Sequence, residues 1–177
     1  MHAIKVLRED HARIEALLDE LAGGDQVTEI SERLKKELVV HILAEDNVFL
    51  PQVEDAIEDS RQATGEFFEG DPEALAKASE LVANSFENNA WVQELLRRQP
   101  PEPAQEDIEA LKKSVARHVE LEEDLFPRVQ EVLEDEDFER IGDLIEHCKR
   151  QVRGLAQARL ASSSSFRPSP VEVTLLE

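Results

Sequence analysis

The amino-acid sequence predicts an all-α protein that folds as one domain. Hydrophobic residues make up 41% of the 177 positions and charged residues 34%, while glycine occurs only 6 times. Alanine, leucine, glutamate, lysine and arginine dominate, and these residues favour helices. Tyrosine is absent, and β-branched residues never form the alternating runs that indicate strands. The chain is long enough to enclose a sizeable core.

Apolar periodicity indicates the first two helices. Over about residues 2–22, apolar side chains recur at steps of three, four and seven, and the "AGG" at 22–24 ends the helix. A second helix is predicted over about 27–62 by the same pattern. Pro51 lies inside it, and because proline has no backbone N–H we expect a kink or a restart there.

Three further helices follow a loop over residues 63–71. The "DPE" that begins at Asp71 provides an N-cap, a first-turn proline and an acidic first turn for the next helix. The three helices span about 73–98, 105–133 with Pro127 inside, and 136–160.

Four long helices joined by short connections pack most simply as an up-down four-helix bundle. The fifth helix is then an addition on the side or end of the bundle, and residues 1–160 form one helical domain. The serine- and proline-rich stretch "ASSSSFRPSP" predicts that residues 161–177 are a flexible C-terminal tail. The final "VEVTLLE" is compatible with a short strand-like segment or with disorder.

Charge and cysteine content exclude several classes of protein. The net charge of −20 repels nucleic-acid backbones and anionic membrane surfaces, so we expect neither as a partner. Cys148 is the single cysteine and forms no internal disulfide, which favours a reducing, cytoplasmic setting. The N-terminus lacks the apolar region of a signal peptide, and no apolar run approaches the ~18 residues of a membrane span.

An element that begins with Leu-Lys-Lys and ends in His-x-x-x-Glu occurs twice in the chain. "LKKELVVHILAED" contains His41 and Glu45, and "LKKSVARHVELEED" contains His118 and Glu122. Each pair continues the apolar stripe of its helix, and a spacing of four places both side chains on one helical face. Both pairs therefore point into the bundle, where a buried carboxylate needs a partner, a proton or a metal.

A metal is the economical explanation for this set of inward donors. His11 joins it, because the first helix places this residue between core positions. The candidate ligands are His11, His41, Glu45, His118 and Glu122. Imidazole nitrogens and carboxylate oxygens suit iron, manganese or zinc. The alternative is a buried His–Glu hydrogen bond within each helix. Of the remaining candidates, His2 is interpreted as an exposed residue and Glu15 as part of a solvated face. His147 and Cys148 are interpreted as packing or boundary residues.

Three stretches that contain the candidate ligands resemble a known family. "DHARIEALLDEL", "HILAEDNVFLP" and "HVELEEDLFP" are similar to the hemerythrin-like (HHE) cation-binding domain, and the resemblance covers about residues 3–145. Ferritin-like di-iron bundles use Glu-x-x-His instead. That motif does not fit, because no histidine of this chain has a glutamate three residues before it.

The resemblance implies a non-haem di-iron protein that binds or senses oxygen, peroxide or nitric oxide. By this resemblance His11 and His41 bind one iron, His118 binds the second, and Glu45 and Glu122 bridge the two. The fold alone does not identify which of the activities found in such a family this chain has. Two alternatives therefore stay open: a peroxide-degrading di-iron enzyme, and a metal-depleted interaction or regulatory domain whose C-terminal helix and tail dock a protein partner.

One ligand of the family pattern is missing. The family usually has another histidine on its third helix, but no histidine occurs between residues 42 and 117. Aligning the two halves of the chain places Asn88 or Asn89 there, and Asn89 also lies on the apolar stripe. Glu87 is close enough in sequence to substitute. Three outcomes are open: two irons with the second weakly held, one metal held by His11, His41 and Glu45, or no metal.

Overall fold

The computed structural model describes residues 1–62 and 71–164. Residues 63–70 of the predicted loop and residues 165–177 of the predicted tail lie outside the described residues. The described part is helical and contains no strand. Its helices are α1 (Ala3–Ala22), α2 (Val27–Ala44), α3 (Leu50–Gln62), α4 (Pro72–Arg98), α5 (Gln105–Val129) and α6 (Asp135–Ser164), and a π-helical turn (Glu45–Phe49) joins α2 to α3.

The all-α bundle with an added C-terminal helix is confirmed. The rod formed by α2, the π-helical turn and α3 packs against α1 and α4, and α5 packs against the same two helices. Arg8 of α1 pairs with Glu123 of α5 at 2.6 Å, and Asp19 pairs with Lys112 at 2.6 Å, so α1 and α5 run antiparallel. At the start of α4, Asp71 caps the helix by accepting from the Glu73 backbone N–H, as the "DPE" sequence predicts.

Helix α5 ends four residues earlier than expected, at Val129 rather than 133. After that residue the backbone N–H of Glu131 bonds to the Arg128 carbonyl and that of Val132 to the Val129 carbonyl. These three-residue steps close a tight turn, and α6 begins at Asp135. The apolar periodicity of the sequence continues past Val129, so it predicted a longer helix than the backbone hydrogen bonds form.

The π-helical turn is the structural form of the irregularity expected at Pro51. The Leu50 N–H bonds to the Glu45 carbonyl, five residues back, in the turn that directly precedes the proline. Because a π-helical turn is wider than an α-helical turn, the residues after it are rotated about the helix axis relative to a regular α-helix. Phe49 and Val53 are fully buried, whereas Val48 is only half-buried. Val48 instead packs against the edge of the core.

The apolar core is divided into two clusters along the bundle axis. One end contains residues such as Leu7, Phe49 and Phe126, and the other contains residues such as Ile14 and Leu38. The polar candidate ligands occupy the layer between them. Apolar side chains above and below this layer keep water away from it, which makes every charge in it electrostatically stronger.

Helix α6 packs along the side of the bundle against α1, α2 and the π-helical turn. It buries Phe138, Ile141 and Ile145. Its Gly142 admits the N-terminus, because a Cβ at this position would lie 1.7 Å from the Met1 carbonyl oxygen. None of the helices in the described part of the chain has the length and apolarity needed to cross a membrane.

Candidate metal centre

Three histidines and two glutamates from α1, α2, the π-helical turn and α5 meet in the polar layer. They are His11 of α1, His41 of α2, Glu45 at the start of the π-helical turn, and His118 and Glu122 of α5, all of them buried. The helical periodicity that predicted inward positions for these five side chains therefore agrees with their placement. The sequence could not show how closely their donor atoms approach one another.

Glu45 lies at the centre of the histidine nitrogens. Its Oε1 is 2.7 Å from His41 Nε2 and 4.0 Å from His11 Nε2. Its Oε2 is 3.5 Å from His118 Nε2. Each of the three imidazoles thus directs the same ring nitrogen toward one carboxylate. Ligand atoms of His11, His41, Glu45 and His118 all lie within 4.8 Å of one another.

The imidazoles surround one point from three nearly perpendicular directions. Their ring planes cross at angles of 81°, 87° and 82°. The Nε2 atoms of His41 and His118 are 3.0 Å apart. Metal–nitrogen bonds of about 2.1 Å at right angles would separate two nitrogens by about 3.0 Å. The spacing therefore matches two neighbouring ligands of one metal ion.

Glu122 extends the same group. Its Oε2 is 3.3 Å from His11 Nε2, but neither Glu122 oxygen has a hydrogen-bond partner among the described residues. Both ring nitrogens of His11 also lack an aligned hydrogen bond there. Leaving such groups buried and unsatisfied is costly, whereas coordination to a cation would satisfy them. The donor set thus fits a metal ion.

Asp10 supports the group from outside and was missed by the sequence analysis. His41 Nδ1–H donates to Asp10 Oδ2 at 3.4 Å, which leaves His41 Nε2 for the metal. Histidines that bind metals commonly donate their other ring N–H to a carboxylate in this way. Asp10 is buried three residues after Leu7, so the apolar periodicity of α1 could have revealed it.

A buried lysine on α6 completes this support and was also missed. Lys149 Nζ lies 2.5 Å from Asp10 Oδ2, and Arg13 pairs with Asp10 Oδ1. Lys149 continues the stripe of Phe138, Ile141 and Ile145, and that spacing was its signal in the sequence. The predicted appendage therefore contributes a charge next to the candidate metal centre.

These contacts shift the pKa values of the titratable groups. Burial raises the pKa of the Asp10 carboxyl, but hydrogen bonds from His41 and Lys149 outweigh it and lower the pKa to about 2. Burial lowers the pKa of His41, while the charge of Glu45 and the hydrogen bond to Asp10 together raise it to about 10. The pKa of Glu45 is raised by burial but held well below its usual range by His41 and His118.

Asn89 is the residue that the sequence favours for the position of the additional histidine. It is fully buried, and its Nδ2 donates to Glu45 Oε2 at 3.2 Å and to Asp46 Oδ1 at 2.9 Å. The amide therefore holds Glu45 in place rather than presenting its oxygen as a ligand. Asn88 is half-buried and donates to the Ser114 carbonyl at 3.4 Å, and Glu87 is exposed. Neither of these two reaches the group.

The residues set aside in the sequence analysis stay outside the group. Glu15 and His147 are exposed, and Cys148 is half-buried. His2 is half-buried rather than exposed, since its ring stacks on Phe138 with centroids 4.7 Å apart. The described part of the chain thus concentrates its candidate metal ligands in one place.

The fold and this cluster define a helical-bundle protein with a candidate metal-binding centre. A comparison with protein families gives the same result: the chain matches the hemerythrin HHE cation-binding domain over residues 2–129. The match covers more than half of the chain, so this protein belongs to the hemerythrin HHE cation-binding domain family. No curated protein and no solved structure matches the chain. Helix α6 lies beyond the matched residues.

Proposed function

We propose that this protein is a non-haem iron protein that binds or senses oxygen, peroxide or nitric oxide. His11, His41, His118 and Glu45 would hold one iron ion, with Glu122 beside it. The observation that carries the proposal is the 3.0 Å approach of His41 Nε2 to His118 Nε2, next to the Glu45 carboxylate. Nitrogen and oxygen donors suit iron, and membership of the family supports a cation at this place.

The iron would supply Lewis-acid and redox chemistry. The residues of the chain hold and orient its ligands. Asp10 keeps the His41 proton on Nδ1, and Asn89 donates to Glu45 and so keeps that carboxylate turned toward the histidines. Apolar clusters on both sides exclude bulk water, and the depth of the layer favours ligands as small as oxygen, nitric oxide or peroxide.

A single iron is preferred over the pair that the resemblance implies. All three histidines direct Nε2 toward Glu45, so a second ion would have no imidazole of its own. The unpartnered oxygens of Glu122 are the observation that favours two irons, because a carboxylate there could bridge to a second ion. Metal content per chain separates the two arrangements.

The test is the metal content of the aerobically purified protein and of the protein reconstituted with ferrous iron. We expect one iron per chain, lost in His41→Ala. His147→Ala is the matched control, because His147 is an exposed histidine outside the group. It should retain the iron. Two irons per chain would support the paired arrangement, and no iron after reconstitution would overturn the proposal.

Two rival functions give different results in the same preparation. Rapid consumption of added peroxide, lost in His41→Ala, would favour a peroxide-degrading enzyme. A folded protein that takes up no metal would favour an interaction domain. For such a domain we propose that a protein partner would use α6, where Leu144 and Leu155 are 43% and 67% exposed. A cytoplasmic location is part of our proposal and is supported by the single cysteine.

A further inference from the structure

Lys149 is a buried lysine that α6 carries to the edge of the metal centre. Its side chain is 1% exposed, and its Nζ lies 2.5 Å from Asp10 Oδ2 and 2.8 Å from Glu146 Oε1. Lysine is almost never fully buried unless it is paired, and these two carboxylates supply the pairing. The family match ends at residue 129, and Lys149 therefore belongs to the part of the chain that lies beyond it.

One oxygen of Asp10 faces both Lys149 and His41. Asp10 Oδ2 lies 2.5 Å from Lys149 Nζ and 3.4 Å from His41 Nδ1, while Asp10 Oδ1 is paired with Arg13. The negative charge that would act on the His41 ring is therefore shared with two cations. Partners of this kind orient a metal-bound imidazole and set how strongly it donates electrons.

We propose that Lys149 and Asp10 together set the donor strength of His41 and, through it, the reduction potential of the bound iron. The inference rests on the proposed function, because a potential requires bound iron. The Asp10 carboxylate strengthens His41 as a donor and favours the more highly charged ferric state. Lys149 opposes this effect, because a positive charge in a water-poor interior favours the ferrous state. Lys149 is a positioning residue that acts through Asp10.

A purely structural role would be that Lys149 anchors α6 to the bundle. Arg153 serves such a role one turn later, since its Nη2 lies 3.1 Å from Glu37 Oε2 of α2. That pair is partly exposed and does not contact the candidate ligands. Arg153→Met is therefore a matched control that loosens the same helix without changing the charge on Asp10.

The experiment measures the reduction potential of the iron-loaded full chain by redox titration. We expect Lys149→Met to lower the potential and Asp10→Asn to raise it. Lys149→Arg should keep most of the wild-type potential, because it keeps the positive charge. Arg153→Met should leave the potential unchanged. Asp10→Asn should also weaken Co²⁺ binding by about 10–100-fold, as is typical when such a partner is removed. Opposite shifts would support an electrostatic role, because general loosening does not depend on the sign of the removed charge.

Several outcomes would overturn the inference while the proposed function stands. They are an unchanged potential in Lys149→Met, equal shifts in Lys149→Met and Arg153→Met, or shifts of the same sign in Lys149→Met and Asp10→Asn. Should circular dichroism show that Lys149→Met does not fold, Asp10→Asn decides, and a potential that is unchanged or lowered overturns the inference. A wild-type chain that binds neither iron nor Co²⁺ overturns both the inference and the proposed function.

Discussion

The Nε2 atoms of His41 and His118 lie 3.0 Å apart inside the bundle, although the two histidines come from different helices. The Glu45 carboxylate faces both, with Oε1 on the His41 side and Oε2 on the His118 side. In the metal-free protein a shared proton can occupy this space, because the charge of Glu45 raises the pKa of both imidazoles above the usual value despite burial, which lowers it. A metal ion would replace that proton.

Glu45→Gln removes the carboxylate that all three histidines face. We expect metal affinity to fall by more than the roughly 10–100-fold typical of outer partners, since an amide oxygen is a neutral donor. Co²⁺ titration followed by absorption measures the change. Glu120→Gln is the control, because Glu120 is an exposed residue of α5. Equal affinity in Glu45→Gln and the wild type would remove Glu45 from the ligand set.

Asn89→His tests the position of the missing histidine. Asn89 is fully buried beside Glu45, so an imidazole there would offer a second ion the nitrogen that it otherwise lacks. We expect iron content to rise from one toward two per chain. Asn88→His should leave the content unchanged, since Asn88 is directed at the Ser114 carbonyl. A rise in iron content in Asn88→His, with none in Asn89→His, would mean that Asn88 rather than Asn89 corresponds to the missing histidine.

Periodicity predicted which faces are buried, but not how the helices rotate against one another. A spacing of four fixes His41 and Glu45 on one face of the helix that continues from α2 into the π-helical turn, and the same rule chose Asn89 over Asn88. The meeting of three histidines at Glu45 depends on helix packing angles, which periodicity does not contain. The role of Lys149 likewise depends on which side of the bundle α6 covers, and the sequence left that open.

The irregularity at Pro51 shows a second limit on what the sequence predicts. The missing N–H of proline predicts disturbed hydrogen bonding, but not the π-helical turn that absorbs it. That turn begins at Glu45, a candidate ligand, and rotates Phe49 rather than Val48 into the core. π-Helical turns occur frequently at functional sites, and here the turn keeps Glu45 inward while the following residues are turned.

Two glycines of α6 should respond oppositely to alanine. A Cβ at Gly142 would lie 1.7 Å from the Met1 carbonyl oxygen, whereas a Cβ at Gly154 would meet nothing within 4 Å. Gly142→Ala must displace the N-terminus, so we expect a loss of about 1–3 kcal/mol in the free energy of unfolding. Gly154→Ala should gain about 0.5–1 kcal/mol, because alanine favours a helix interior. Urea denaturation of the metal-free protein measures both, and a destabilised Gly154→Ala would contradict the packing of α6.

Metal binding should release protons at mildly alkaline pH. The Glu45 charge and the Asp10 hydrogen bond outweigh burial and raise the pKa of His41 to about 10, so His41 is protonated in the metal-free fold at about pH 8. The stabilisation from this raised pKa is complete below the unfolded value of about 6.5 and is lost as the pH rises through 10.

A metal must displace the proton, and its apparent affinity should increase by about tenfold per pH unit for each proton displaced. Calorimetry in two buffers of different ionisation enthalpy counts the protons. We expect at least one for Zn²⁺, with His147→Ala unchanged, and a count of zero at about pH 8 would rule out a protonated His41.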